Sequence, residues 1–370
     1  MQAQRNITKD LHMFLITIAI LLIVGGLFTY SASSVYALEK FGYSHYFVKK
    51  QLIGLCIGIF GLLIARAIPL SLVKKLSPLM FFGAAGLTTL TLLSYVGQRI
   101  HGSHRWISLA GFTFQPSELL KITLLIYLAY FLERKNSQPN SFLHSYVPLL
   151  IILGLPSFIL LMQPDFGMTV TIVVTSIILL FVAQFNIKHL LISLACLIPA
   201  GIGLILMRPY RLQRVLTFLN PWQDPKGSGF QVIQSLIAIG SGGLWGTGIG
   251  NSKQKFFYLP MQHTDFIFSI IAEETGFFGS LFIVTLYALF LYFGIRVACQ
   301  LKSSFSILTT LGFVILVNLQ AVINIAVATG LAPTKGLGLP FVSYGNSALI
   351  CNLFMVGLII NMVHESKKVH

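Results

Sequence analysis

The sequence predicts an all-α, polytopic integral membrane protein with about ten transmembrane helices and one long extracytoplasmic loop. Three observations predict it. Of 370 residues, 55% are hydrophobic and only 9% charged, against roughly 25% charged in soluble domains. The apolar residues gather into runs of about the 20 residues a helix needs to cross a ~30 Å hydrocarbon core. The charge is lopsided, with 25 Lys and Arg against 10 Asp and Glu, a formal +15; in such a chain the excess belongs in loops. A cytosolic globular protein is excluded, and so is disorder, which needs low hydrophobicity and high charge.

Ten runs qualify as spans: 11–32, 51–69, 77–97, 116–133, 146–163, 167–186, 188–207, 275–298, 304–330 and 345–364. The first follows Arg5, Lys9 and Asp10 and is long enough to span, so it reads as a retained helix and not as a cleaved signal. The spans leave one long connection, 208–274, inside a single domain of 1–370. Cys56, Cys196, Cys299 and Cys351 all lie in apolar runs without paired spacing, as small hydrophobes do, and indicate neither disulfides nor a metal site.

An even number of spans puts both termini on one side. With the N-terminus cytoplasmic, twelve of the 25 cations fall on inner segments and thirteen on outer ones. Six of those thirteen (Arg208, Arg211, Arg214, Lys226, Lys253 and Lys255) lie on the long connection, and the positive-inside rule counts short loops only. The remaining twelve against seven place both termini in the cytoplasm. The long loop is then a basic outer surface. It would rest on anionic lipid or handle an anionic lipid substrate.

Polar residues inside the spans come next. Pro116 suits a first helical turn, where its missing N–H costs nothing. Glu118 follows at the positive end of the helix dipole, with Lys121 three residues on over the same face. Ions within a membrane are expensive unless matched, so Glu118 and Lys121 read as a structural ion pair, with substrate contact as the alternative. Arg105-Trp106 reads as an interface anchor that could also touch a phosphate. Gln163-Pro164-Asp165-Phe166-Gly167 has the chemistry of a tight turn, with Asp165 as a helix cap.

Eight glycines between Lys226 and Gly250 could form anion-binding nests, although neither nucleotide-binding fingerprint is present. Among them, Gln231, Gln234 and Ser235 share one helical face and Phe230, Ile233 and Ile237 another, as in a short helix lying in the interface. His263, Thr264 and Asp265 precede an apolar stretch to Arg296, which as one helix would run about 48 Å at 1.5 Å per residue. Its start would therefore stand above the membrane or line a polar cavity. Asp265 there is either a general base for a hydroxyl or a helix cap. Lys335 is the only charge between Lys302 and Glu365. It could stabilise a phosphate leaving group or simply snorkel to the interface.

These segments together resemble the SEDS family of bacterial membrane proteins (shape, elongation, division and sporulation), of which FtsW and RodA are the best-known members. The resemblance rests on RWISLAGFTFQPSELLK, QPDFG, YRLQRVLTFLNPWQDPKGSGFQVIQSLIAIGSGGLWGTGIG, LPMQHTDFIFSIIAEETG and TKGLGLPFVSYG, in that order. The residues before HTDFIF and LPFVSYG are more like the division branch than the elongation branch. The resemblance implies a peptidoglycan glycosyltransferase that polymerises lipid II at the outer face of the bacterial cytoplasmic membrane, at the division septum. An elongation polymerase and a lipid II flippase are the alternatives.

By the same resemblance Asp265 is the catalytic base, Lys335 a functional lysine, and Glu118 and Lys121 the family's acid–base pair. Arg105, Arg208, Arg211, Arg214, His263 and Ser343 are expected to bind substrate. The implied partners are a class B penicillin-binding protein and other membrane proteins of the division complex, with no nucleic acid. No resident cofactor or metal ligand set is implied, and a divalent cation assisting the pyrophosphate stays open. Two positions depart from the family pattern: Met261, where an acid is usual, and Asn346, where glycine is usual.

Overall fold

The computed structural model describes residues 2–93, 95, 97–100, 103–109, 112–135, 146–256, 259–260 and 262–368. Met261 lies outside them. Ten long helices coincide one-to-one with the ten expected spans: α1 (Gln2–Phe41), α2 (Tyr46–Ala67), α3 (Leu70–Leu90), α4 (Pro116–Lys135), α5 (Val147–Met162), α6 (Phe166–Val182), α7 (Ile187–Leu206), α10 (Ile267–Cys299), α11 (Ser304–Ala328) and α12 (Asn346–Lys368). Seven of them are long and apolar enough to cross a membrane by length and composition. Of the other three, α4 carries Glu118 and Lys121 and is closed by Glu133-Arg134-Lys135, whereas α5 and α6 have 16 and 17 residues. The chain is a multi-pass membrane protein.

α11 and α12 form the buried centre, and α7 is almost wholly exposed. α12 runs along α2 at a distance set by glycine. A β-carbon on Gly357 would come within 2.4 Å of Leu62 O, and one on Gly58 within 2.5 Å of Leu353 Cδ1. Small residues that let backbones approach are how membrane helices gain packing energy without a hydrophobic drive between them. Gly54 meets Asn346 in the same way, its absent β-carbon leaving room for Asn346 Oδ1. Asn346 has no left-handed backbone and opens α12. The departure from glycine there is accommodated by space on α2.

Three expectations are corrected. The third helix spans 70–90, not 77–97: hydropathy excludes Lys74 and Lys75, yet Lys74 is held 2.9 Å from Glu133 on α4. The residues after it form a small antiparallel sheet in the order β1 (Gly97–Ile100), β2 (Ser103–Leu109) and β3 (Phe112–Phe114). The stretch 267–299 is not one straight helix. Gly276 (φ 67°, ψ −159°) breaks it, leaving a short half-helix and a segment of about 35 Å at 1.5 Å per residue. Finally, 208–274 is folded, with α8 (Pro209–Leu219), a 3₁₀ turn (Pro221–Gln223) and α9 (Phe230–Gly242).

α9 does not lie loose in the interface. Val232, Ile233, Ser235 and Ala238 are buried, and Ser235 Oγ sits 2.6 Å from both Ser269 Oγ and Ala328 O. The glycines after it form close contacts where nests were expected. A β-carbon on Gly242 would strike Ala272 O, and one on Gly246 would strike Glu274 O. The N–H groups of Thr247 and Gly248 donate to the carbonyls of Glu273 and Glu274, each at 3.0 Å. These donors are satisfied by the broken helix and do not point at a ligand.

Side-chain ties define two ends of the bundle. At one, Lys74 meets Glu133 beside Ser303, and Arg296 meets Asp10 at 3.1 Å. At the other, the sheet, the α5–α6 turn, the 208–266 segment and the α11–α12 connection converge.

Candidate active site

That second end encloses a cavity of about 1140 Å³. Each wall is positioned by a short-range device. Asp165 caps α6 by accepting from Met168 N at 3.1 Å. Arg105 on β2 grips the same turn, donating to Gln163 O (3.0 Å) and Pro164 O (2.8 Å) and lying 3.4 Å from Asp165 Oδ2. Gly167 is helical and needs no positive φ. Its missing side chain instead admits the next wall, since a β-carbon there would lie 3.4 Å from Lys335 Cβ.

Arg208, at the entry to α8, and Arg211 and Arg214 on the helix line the cavity, spaced by three residues. Arg211 lies over Phe166 and donates to Leu204 O at 3.0 Å; Arg214 lies over Tyr210 and donates to Thr334 O at 2.8 Å. Arg214 thus ties α8 to the loop that carries Lys335. Of the other loop cations, Lys226 and Lys253 are exposed. Lys255 is turned inward to Gly250 O and to Glu274, 3.7 Å away.

Asp265 stands immediately before the half-helix of α10. Its carboxylate faces the Lys335 loop: a β-carbon on Gly336 would lie 3.6 Å from Asp265 Oδ2. Desolvation pushes its acid up to about 7, with Arg214 and Arg105 opposing and Asp165 reinforcing the shift. Burial lowers the Lys335 ammonium from its usual value, and among the described residues no carboxylate pairs with it. A carboxylate of that basicity in a cleft beside a half-buried cation is the pattern of a general base poised near neutral pH.

The floor of the cavity differs. Lys121 Nζ lies 2.5 Å from Glu118 Oε2 and 3.4 Å from Gln320 Oε1, and both charged side chains are buried. Ser343 reaches the wall, but its hydroxyl is engaged, donating to Thr264 O (2.5 Å) and accepting from Leu339 N (2.7 Å). His263 does not join the cavity. Its ring is buried among Phe47, Tyr36 and Tyr344, with centroids 4.4, 5.8 and 5.8 Å away. Desolvation lowers it to about 4, so it is uncharged at neutral pH and carries no charge to a phosphate. Among the described residues no three His, Cys, Asp or Glu side chains converge on a metal position.

The cavity thus gathers cations from β2, α8 and the α11–α12 loop around one basic carboxylate. The profile of the FtsW/RodA/SpoVE family, described as "Cell cycle protein", matches residues 11–368. The chain belongs to this family. The probable peptidoglycan glycosyltransferase FtsW of Geobacter sp. (strain M18) is 41% identical over 343 residues, 93% of this chain and 94% of that protein. Stage V sporulation protein E of Bacillus subtilis (strain 168) is 39% identical over 98% of this chain and 99% of its own length. Among solved structures, a chain of a peptidoglycan synthase complex that coordinates polymerization and crosslinking superposes with a TM-score of 0.79. It is 30% identical over 95% of this chain and 97% of that one. The rod shape determining protein RodA of Thermus thermophilus gives 0.71 at 26% identity, over 95% and 96% of the two chains.

Several residues that build the site were not singled out in the FtsW/RodA/SpoVE-type motifs. Asn324 on α11 donates to Asp265 O and Leu337 O, both at 2.7 Å. Tyr287 on α10 donates to Pro340 O at 2.5 Å. Gly25 on α1 makes room for Phe341 O, and Phe341 itself holds φ 66°, a conformation costly for a bulky residue unless its surroundings over-determine it. The signal for the first was present: Asn318, Gln320 and Asn324 recur within an otherwise apolar span, and polar groups at that depth mark function.

Proposed function

We propose that this protein, a peptidoglycan glycosyltransferase by family and relatives, polymerises lipid II with Asp265 as general base. The observation that carries the reading is the basic, desolvated carboxylate of Asp265 in a cavity whose remaining charges are mostly cationic. Asp265 accepts the proton of the acceptor sugar 4-hydroxyl as that oxygen attacks the anomeric carbon of the donor. The bond from that carbon to the pyrophosphate breaks, and its electron pair leaves with undecaprenyl pyrophosphate. Displacement from the opposite face inverts the carbon and leaves a β-1,4 linkage. Lys335, Arg105 and the α8 arginines stand where charge develops on the departing pyrophosphate, and preorganised cations there lower the barrier without reorganising.

With both termini cytoplasmic, the cavity end faces outward, where lipid-linked disaccharide is presented. The similarity to a synthase that coordinates polymerization with crosslinking supports a class B penicillin-binding protein as partner. The stronger likeness to proteins named FtsW supports work at the division septum with other membrane proteins of the division complex. The decisive experiment supplies lipid II to the purified protein together with its partner transpeptidase. Wild type is expected to make glycan strands and Asp265→Ala none, with helical content unchanged. Undiminished strands from Asp265→Ala would remove the assigned base.

A further inference from the structure

The two loops that meet at the reaction centre share a backbone hydrogen bond, Tyr344 N to His263 O at 3.0 Å, and are bridged by two side chains, of which Asn324 is the buried one. Asn324 is 2% exposed and sits near the end of α11, one of the central helices. Both bonds come from the same nitrogen: Nδ2 donates to the backbone carbonyl of Asp265 and to that of Leu337, two residues beyond Lys335, each at 2.7 Å. Both amide hydrogens are thereby spent. Among the described residues its Oδ1 is buried without a hydrogen-bond partner, and a buried unmatched acceptor is destabilising. An apolar residue would avoid that cost, so the gain must lie in what the two donors do.

We propose that Asn324 is a positioning residue of the glycosyl transfer, clamping the Asp265 backbone and the Lys335 loop at one fixed separation. The clamp has a second point on the far side of the loop, where Ser343 Oγ joins Thr264 O to Leu339 N. Together they leave the Asp265 carboxylate little freedom except toward the cavity. The groups that face that carboxylate are Arg214 from α8, Asp165 from the α5–α6 turn and Arg105 from β2, with Lys335 on the clamped loop itself. Loosening the loops lets water reach Asp265 and relieves the desolvation that outweighs these charges. A base displaced by even 1 Å loses about a hundredfold in rate. This inference rests on Asp265 acting as the base.

The test uses the full chain with its partner transpeptidase and lipid II, comparing wild type, Asn324→Leu, Asn324→Ser and Asp265→Ala. Leucine keeps the volume and removes both donors; serine keeps one donor and less volume. For Asn324→Leu, kcat is expected to fall about a hundredfold at tenfold per lost bond, with KM within threefold. The acid limb of its kcat–pH profile should move downward by a pH unit or more as the carboxylate becomes hydrated. Asn324→Ser should fall between, and it carries the test if the leucine variant does not fold. A kcat within threefold of wild type with an unmoved limb, while Asp265→Ala is inactive, overturns the clamp and leaves the base assigned. Activity surviving in Asp265→Ala overturns the base itself, independently of Asn324. A loss of thermal stability with kcat and limb unchanged assigns Asn324 to structure alone and also overturns the proposal.

Discussion

The floor and the mouth of the cavity hold the same kinds of side chain in opposite conditions. At the floor, Lys121 and Glu118 lie 2.5 Å apart on one helix, buried, with Gln320 against the lysine. At the mouth, Lys335 has no carboxylate partner among the described residues, and Asp265 has arginines near it but no ion pair. The floor is electrically finished within the protein, whereas the mouth carries five cations, Arg105, Arg208, Arg211, Arg214 and Lys335, against Asp165 and Asp265. A charge neutralised by its own helix neighbour serves architecture. A charge left over at a cavity wall awaits an anion.

Three experiments break or sharpen that contrast. The largest effect belongs to Asp265, since a positioned base is worth about 10²–10⁴ in rate. Only the ionised form accepts the proton and its acid is held at about 7. Strand synthesis should therefore fall about tenfold per unit as pH drops below 7 and level off above it. A profile flat down to pH 5 would contradict a desolvated base. Next is the floor. Lys121→Met leaves Glu118 buried and unpaired and should cost about 3–5 kcal/mol of stability, read as a lowered melting temperature in detergent. Adding Glu118→Gln should restore most of it. If the double variant stays as unstable as the single one, the pair is doing more than cancelling charge. Smallest is Lys335→Ala, expected to lower kcat by about 10² while the melting temperature holds. An equal loss of stability would make Lys335 resemble the floor and erase the distinction.

Much of the architecture could be read one helix at a time. The apolar runs located ten helices, the Asp165 turn announced its own cap, and the three-residue spacing of Glu118 and Lys121 matched an ion pair on one face. The readings failed where a local pattern was overridden from a distance. Lys74 and Lys75 look like a loop until Glu133 from α4 is brought to one of them. The glycines after Phe230 look like a flexible anion cradle until the broken α10 packs against Gly242 and Gly246 and takes the N–H groups of Thr247 and Gly248. His263 stands two residues before Asp265 in the chain, yet its ring is turned away from the cavity into a cage of Phe47, Tyr36 and Tyr344.

By itself the sequence determined what depends on neighbours within one or two helical turns: which segments enter a bilayer, where helices start, and which charges can meet on one face. It also carried the family, because several motifs recur in order along nearly the whole chain. Only the tertiary structure decided that Asp265 and the Lys335 loop, some seventy residues apart along the chain, share one wall and that Asn324 holds them there. The burial that raises the Asp265 acid, and the absence of a carboxylate paired with Lys335 among the described residues, likewise arise only in the tertiary structure. The reason is physical: desolvation and Coulomb interaction are summed over everything near in space, and chain order does not record that distance.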